Sequence, residues 1–314
     1  MSVVAIIGAG DLGGALASRL ASRDRVREVR LIDAAAGVAA GKALDILQAN
    51  PVEASATRVI APTVSAASGA AAPGVADLSA LAGASVIVIA DEVGPPVKEI
   101  QAEAGLALLG RVRSVNAVAP IVCAGASQAW LVALGTAELG IPATHLVGSA
   151  PLALVAALKA LVALELNGSA QEVSLTLAGL PPQAVAVPWQ TASVNGESLE
   201  RLLDASALRR IESRIRYLWP PGPYALAAAA ARMTEGLIAG SRQTLCGFTA
   251  DTAGTAADGA FAGSAGSGRA AGNPRAPARP IRIEAGPGAG RWQIRAADLP
   301  AFSPQQHVAL DAIL

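Results

Sequence analysis

Through the first 150 residues, short aliphatic runs alternate with longer segments whose apolar positions recur every three or four residues. The runs at 3–7, 29–33, 57–61, 84–90, 120–124 and 144–149 are almost continuously apolar, the pattern of strands covered on both faces. Between them, segments 13–22, 39–50, 97–115 and 127–139 read as helices, each closed by a polar or Gly/Pro break. Repeated strand–helix units predict an α/β fold built on a doubly wound parallel sheet.

After residue 150 the pattern changes. A long apolar helix begins at Pro151, followed by strands at 172–179 and 184–194 and helices at 198–218 and 223–241. A strand at 244–250, a hairpin-like pair at 280–285 and 290–296, and a final helix capped by Ser303, with Pro304 and Gln306 as a capping box, complete the chain. This reads as two domains, 1–150 and an α+β domain 151–314. Two Ala/Gly/Ser tracts, 65–74 and 251–279, read as surface loops. The most membrane-like stretch, 146–166, is divided by Gly148 and Pro151 into a strand and a helix too short to span a bilayer, so it reads as core.

Composition narrows the classes. Hydrophobic residues are 53% but aromatics only 3%, which predicts a lean interior of Ala, Val and Leu. Lys plus Arg equals Asp plus Glu at 24 each, so no global field favours nucleic acid or an acidic membrane as partner. The N-terminus enters a strand at once, without the order of a signal peptide, which predicts a cytoplasmic protein. Cys123 and Cys246 have no paired spacing and read as buried free thiols, and no metal site is expected.

The densest signal is the turn after the first strand. Gly8, Ala9, Gly10, Asp11, Leu12 and Gly13 make a G-x-G-x-x-G between a predicted strand and a predicted helix. The glycines permit a tight turn, close backbone approach and helix–strand contact, and a pyrophosphate would sit on the helix N-terminus. Asp33 ends the second strand 20 residues beyond Gly13, where a carboxylate accepts ribose hydroxyls and repels a 2′-phosphate. The half-chain therefore reads as Rossmann-type with NAD as its nucleotide. Asp91 and Glu92, at the end of the fourth strand, border that site and oppose a pyrophosphate by charge.

The segments Val4-Ala5-Ile6-Ile7-Gly8-Ala9-Gly10, Leu31-Ile32-Asp33 and Gly41-Lys42-Ala43-Leu44-Asp45-Ile46-Leu47-Gln48 resemble the lactate/malate dehydrogenase family, on its malate dehydrogenase side. Fainter similarity continues through Gly140-Ile141-Pro142, Val147-Gly148, Leu177-Ala178-Gly179, Tyr224-Ala225 with Met233, and Leu245-Cys246. The resemblance implies hydride transfer between NADH and an α-keto acid, with a histidine–aspartate pair supplying the proton and arginines holding the substrate. At the positions so implied, Leu180 stands for the histidine, and Leu154 and Ala157 for the aspartate and an arginine. The loop implied to carry two arginines is reduced to 93–99, with Lys98 its only cation. Gly125-Ala126-Ser127 replaces an Asn-Pro, and Ala229 a serine.

These substitutions lead to the expectation of a pseudoenzyme that keeps the scaffold and a weakened NAD site. Two alternatives stand beside it. One is an active NAD-dependent oxidoreductase on a 2-hydroxy or 2-oxo acid with a relocated donor, Lys98 or a bound water, while His145 and His307 read as surface or structural residues with a relocated general acid as their alternative. The other is an oligomeric scaffold or partner subunit. Homo-oligomerisation as a dimer or tetramer is expected in any case, because a helix as apolar as 151–166 is costly to expose. The run Arg209, Arg210, Arg214 and Arg216 reads as a solvated helix face, with a relocated anion clamp as its alternative.

Overall fold

The computed structural model describes residues 2–62, 76–94, 98–100, 102–250, 275–286, 292–298 and 302. The predicted final helix, with Ser303, Pro304, Gln306 and His307, lies outside them, as do most of the two Ala/Gly/Ser tracts.

The first half is the expected alternation: β1 (Val3–Ile7), α1 (Asp11–Ser22), β2 (Glu28–Ile32), α2 (Ala36–Ala49), β3 (Arg58–Ile60) and β4 (Val86–Ile89). Two short strands, β5 (Asp91–Glu92) and β6 (Lys98–Glu99), precede α3 (Ala102–Val115), β7 (Ile121–Cys123), α4 (Ala129–Ala137) and β8 (Leu146–Gly148). In the order β8-β7-β4-β1-β2-β3 these strands form a parallel array. Every residue of β1, β4, β7 and β8 is buried, which explains their unbroken apolar runs.

The segment predicted as one helix from residue 97 is corrected. Asp91 and Glu92 instead pair antiparallel with Glu99 and Lys98, and the helix starts only at Ala102. The local pairing wins because two prolines at 95 and 96 break the helical register ahead of it.

In the second half, α5 (Ala150–Leu166) is a 17-residue helix with Pro151 in its first turn and Asn167 closing it in the left-handed region at φ 50°. The predicted strands break into β9 (Val173–Ser174), β10 (Ala178–Leu180), β11 (Ala184–Ala186), β12 (Ser193–Val194) and β13 (Glu197–Ser198). The predicted helix 198–218 divides into α6 (Leu199–Leu202), α7 (Ala205–Arg214) and a 3-10 turn, Ile215–Leu218. Leu203 is extended, and the Asp204 carboxylate then accepts from the Ala207 N–H at 2.7 Å to start α7 afresh. Finally α8 (Pro223–Ala239), β14 (Thr244–Phe248), β15 (Ala278–Ala285) and β16 (Trp292–Ala296) complete the described chain, the last pair being the expected hairpin.

The second half adds antiparallel strands to the parallel array through the register pair Phe248 of β14 and Gly148 of β8, and the Ile294 N–H of β16 donates to the Thr144 carbonyl at 2.9 Å. Helix α8 packs along α1, and the buried Glu235 carboxylate meets Arg23 and Arg25 at 3.2 Å each. Among the described residues no helix is long and apolar enough to cross a membrane.

Cys123 in β7 and Cys246 in β14 are both buried and unpaired. Burial pushes each thiol up to about 12, so at pH 8 both remain protonated and poorly nucleophilic. Native protein is therefore expected to leave both thiols unreacted with an aromatic disulfide reagent over minutes at pH 8. Two equivalents should react once it is unfolded, and rapid native labelling would contradict the burial.

Candidate functional site: the glycine turn and the cleft beside it

Strand β1 ends in a turn that side chains at key positions would block. Gly8 has φ +101°, and a Cβ on Gly13 would lie 2.0 Å from the Gly8 carbonyl oxygen. Helix α1 can therefore begin only where both positions are glycine. Its N-cap residue is Gly10, so its first turn has no capping side chain of its own.

A residue 79 positions away supplies the cap. The Asp91 carboxylate accepts from the N–H of Leu12 at 2.9 Å and from that of Gly13 at 2.8 Å. Its backbone carbonyl accepts from Gly10 N–H at 2.9 Å. Asp91 is 3% exposed, and a Cβ on Gly10 would meet its carboxyl carbon at 2.5 Å. A carboxylate on a helix N-terminus gains both charge-assisted hydrogen bonds and the favourable end of the helix dipole.

Asp33, also buried, accepts from Ala9 N–H at 2.7 Å, Ala35 N–H at 2.8 Å and Val93 N–H at 3.2 Å. The Lys42 ammonium closes the carbonyl side of the turn, donating to Ala9 and Gly10 oxygens at 2.7 Å each. Residues 91–93 thus lie along the glycine turn, joined to it and to Asp33 by backbone and carboxylate hydrogen bonds.

The same hairpin reaches a second turn. Glu99 faces Asp91 in the β5–β6 register, and its carboxylate accepts from Ala126 and Ser127 N–H groups at 2.9 and 2.8 Å, after β7. The fully buried Gln128 accepts from Gly125 N–H at 2.9 Å and donates to the carbonyls of Ala90 and Ile100. One amide so ties down both ends of the hairpin.

The other sequence-derived positions lie apart. Leu154 is buried in the core and Ala157 half-buried, both on α5, and Leu180 is half-buried in β10. His145 precedes β8 and its carbonyl accepts from Ile121 N–H. It therefore lies at the edge where the parallel strands begin, beside Ser2 and Ser85, whereas the glycine turn lies where they end. The five residues of β1 alone separate those edges by about 16 Å. Arg209, Arg210, Arg214 and Arg216 are exposed, Arg210 pairing with Glu165 at 3.1 Å, which raises its pKa. They form the solvated face expected. Lys98 lies in β6, its side chain outside the described residues. Among the described residues no group of three or more His, Cys, Asp or Glu side chains is arranged to hold a metal ion.

No family model matches the chain. It is, however, 30% identical over 266 residues to malate dehydrogenase of Thermomicrobium roseum, covering 78% of this chain and 80% of that protein. It is also 30% identical over 260 residues to malate dehydrogenase of Cytophaga hutchinsonii, covering 75% and 76%. The chain belongs to the lactate/malate dehydrogenase family. The fold agrees: malate dehydrogenase of Salinibacter ruber superposes with a TM-score of 0.77 at 19% identity, covering 99% of this chain and 93% of that one. The lactate dehydrogenase of Cryptosporidium parvum, solved with lactic acid and nicotinamide adenine dinucleotide, gives 0.74 at 19% identity, covering 99% and 94%.

Against the family's fold, the role expected of Asp91 changes. Charge alone places Asp91 and Glu92 as neighbours that weaken a pyrophosphate site. In the structure Glu92 is exposed, while Asp91 occupies the donors themselves. With the N–H groups of Leu12 and Gly13 taken and the space over Gly10 filled, the turn as it stands does not fit a dinucleotide pyrophosphate. Lys42, Glu99 and Gln128 hold these turns by hydrogen bonds that the sequence pattern does not announce. Lys42 had a signal in the family-like segment 41–48, whereas Glu99 and Gln128 had none without the fold.

Substituting Gly13→Ala should destabilise the protein by roughly 1–3 kcal/mol, because a backbone oxygen rather than a yielding side chain stands in the way. Thermal unfolding would read this as a lowered Tm, and an unchanged Tm would contradict the close approach.

Proposed function

We propose that this chain is a pseudoenzyme of the lactate/malate dehydrogenase family, without hydride-transfer activity on 2-hydroxy or 2-oxo acids. The observation that carries the proposal is Leu180 at the position where the family resemblance implies a proton-donating histidine. Reducing a keto group develops negative charge on oxygen, and a hydrocarbon side chain has neither a proton nor a dipole to offer it. Leu154 and Ala157 leave the implied partner and carboxylate clamp without polar atoms, and Leu154 is packed into the core rather than facing a cleft. His145 does not substitute, since it sits at the far edge of the sheet.

The reading keeps residues 1–150 as the nucleotide-type half and 151–314 as the substrate-type half. The loss of turnover rests on Leu180, Leu154 and Ala157 and does not depend on whether the nucleotide-type half binds a nucleotide. What remains is a folded surface, and the reading therefore extends to a homo-oligomeric scaffold. Support comes from α5 and α8, where Leu164 is 77% and Tyr224 81% exposed, and from a cavity of about 550 Å³ that small and apolar residues of both helices line together with Lys159, Arg232 and polar residues of neighbouring strands.

Purified protein assayed for NADH oxidation with oxaloacetate, pyruvate and other 2-oxo acids is expected to show no turnover above background. Loss of a general acid alone removes about 10²–10⁴-fold. Enzyme-dependent NADH consumption with any of these acids would refute the reading. Light scattering after size exclusion should return a dimer or tetramer mass, and a strict monomer would remove the scaffold extension.

A further inference from the structure

We propose that the paired strands β5 and β6 are a built-in occupant of the dinucleotide seat, with the Asp91 carboxylate taking the place of a pyrophosphate on α1, so that this chain excludes NAD. The inference extends the non-catalytic reading from the proton donor to the cofactor seat, and it rests on different residues. A nucleotide pyrophosphate binds this kind of turn through the first N–H groups of the helix and through the space that glycine leaves open. Both are already used. Leu12 and Gly13 donate to Asp91 at 2.9 and 2.8 Å, and the Asp91 carboxyl lies where the Gly10 side chain would otherwise be.

Three further contacts make the occupation part of the fold. Val93 N–H donates to Asp33, so the residue that would accept ribose hydroxyls is bonded to the chain that follows β5. Glu99, opposite Asp91, fills the neighbouring turn at Ala126 and Ser127. Gln128, with no exposure, holds the carbonyls on both sides of the hairpin, Ala90 and Ile100. A tethered carboxylate competes at a high effective concentration that free ligand must exceed. An incoming diphosphate would also meet the negative charge of Asp91 at the very N–H groups it needs.

The test is calorimetric titration of the full-length protein with NADH and, separately, with inorganic pyrophosphate. Wild type is expected to show no saturable NADH binding with Kd below about 1 mM. Asp91→Gly, which removes the carboxylate and frees the N–H groups, should bind NADH at least about tenfold more tightly than wild type. Asp91→Asn, which keeps the volume, should not. Micromolar binding by wild type, or an Asp91→Gly protein that folds but gains nothing, would overturn the proposal. If Asp91→Gly does not fold, hydrogen exchange of wild type decides. The Leu12 and Gly13 amides should be protected without ligand and unchanged by millimolar NADH, whereas exchange that NADH alters at these amides would overturn it. The two readings fail separately. Wild type that binds NADH without oxidising it defeats the occupied cleft and leaves the pseudoenzyme intact, and wild type that turns over a 2-oxo acid defeats the pseudoenzyme itself.

Discussion

Everything at the candidate site depends on how closely α1 approaches the end of β1. The Gly13 Cα comes so near the Gly8 carbonyl that a single added carbon would lie 2.0 Å from the oxygen. That approach aims the first N–H groups of α1 at one small region above the sheet, and those groups require an acceptor. In a dinucleotide-binding protein the ligand is the acceptor. Here the helix lacks a capping side chain of its own, and the hydrogen-bonding requirement is met from within the chain by Asp91.

The consequence is a cleft whose donors are turned inward. Asp91 and Glu99 are directly opposed in a two-residue ladder, yet each carboxylate points into a different helix-start turn. Opposed like charges in a ladder are unfavourable when both face solvent. Here each is stabilised separately by two backbone N–H groups, and Gln128 fixes the spacing between them. Both carboxylates thus act as internal acceptors for backbone N–H groups.

Leu180, Leu154 and Ala157 put carbon where the family resemblance implies a proton relay and a cation, and α5 accordingly joins the apolar core along Leu154, Leu158 and Val162. The neighbouring α8 is held against α1 separately, through the buried Glu235 carboxylate and Arg23 and Arg25.

The sequence by itself determined the alternating first half, the G-x-G-x-x-G turn with Asp33, the family, and the identity of Leu180 as a leucine rather than a histidine. Each of these is written in local periodicity, in contiguous motifs or in residue identity, which need no knowledge of distant contacts. It misplaced the start of α3 and merged short strands and helices after residue 172, because two-residue pairings and the restart of a helix at Asp204 depend on neighbours beyond any local window. Only the tertiary structure decided what Asp91 does. As a charge near the turn it reads as a weak opponent of a ligand, but a hydrogen bond between residues 12 and 91 exists only once β1 and β4 lie side by side. At contact distance a carboxylate stops being a source of field and becomes the ligand itself.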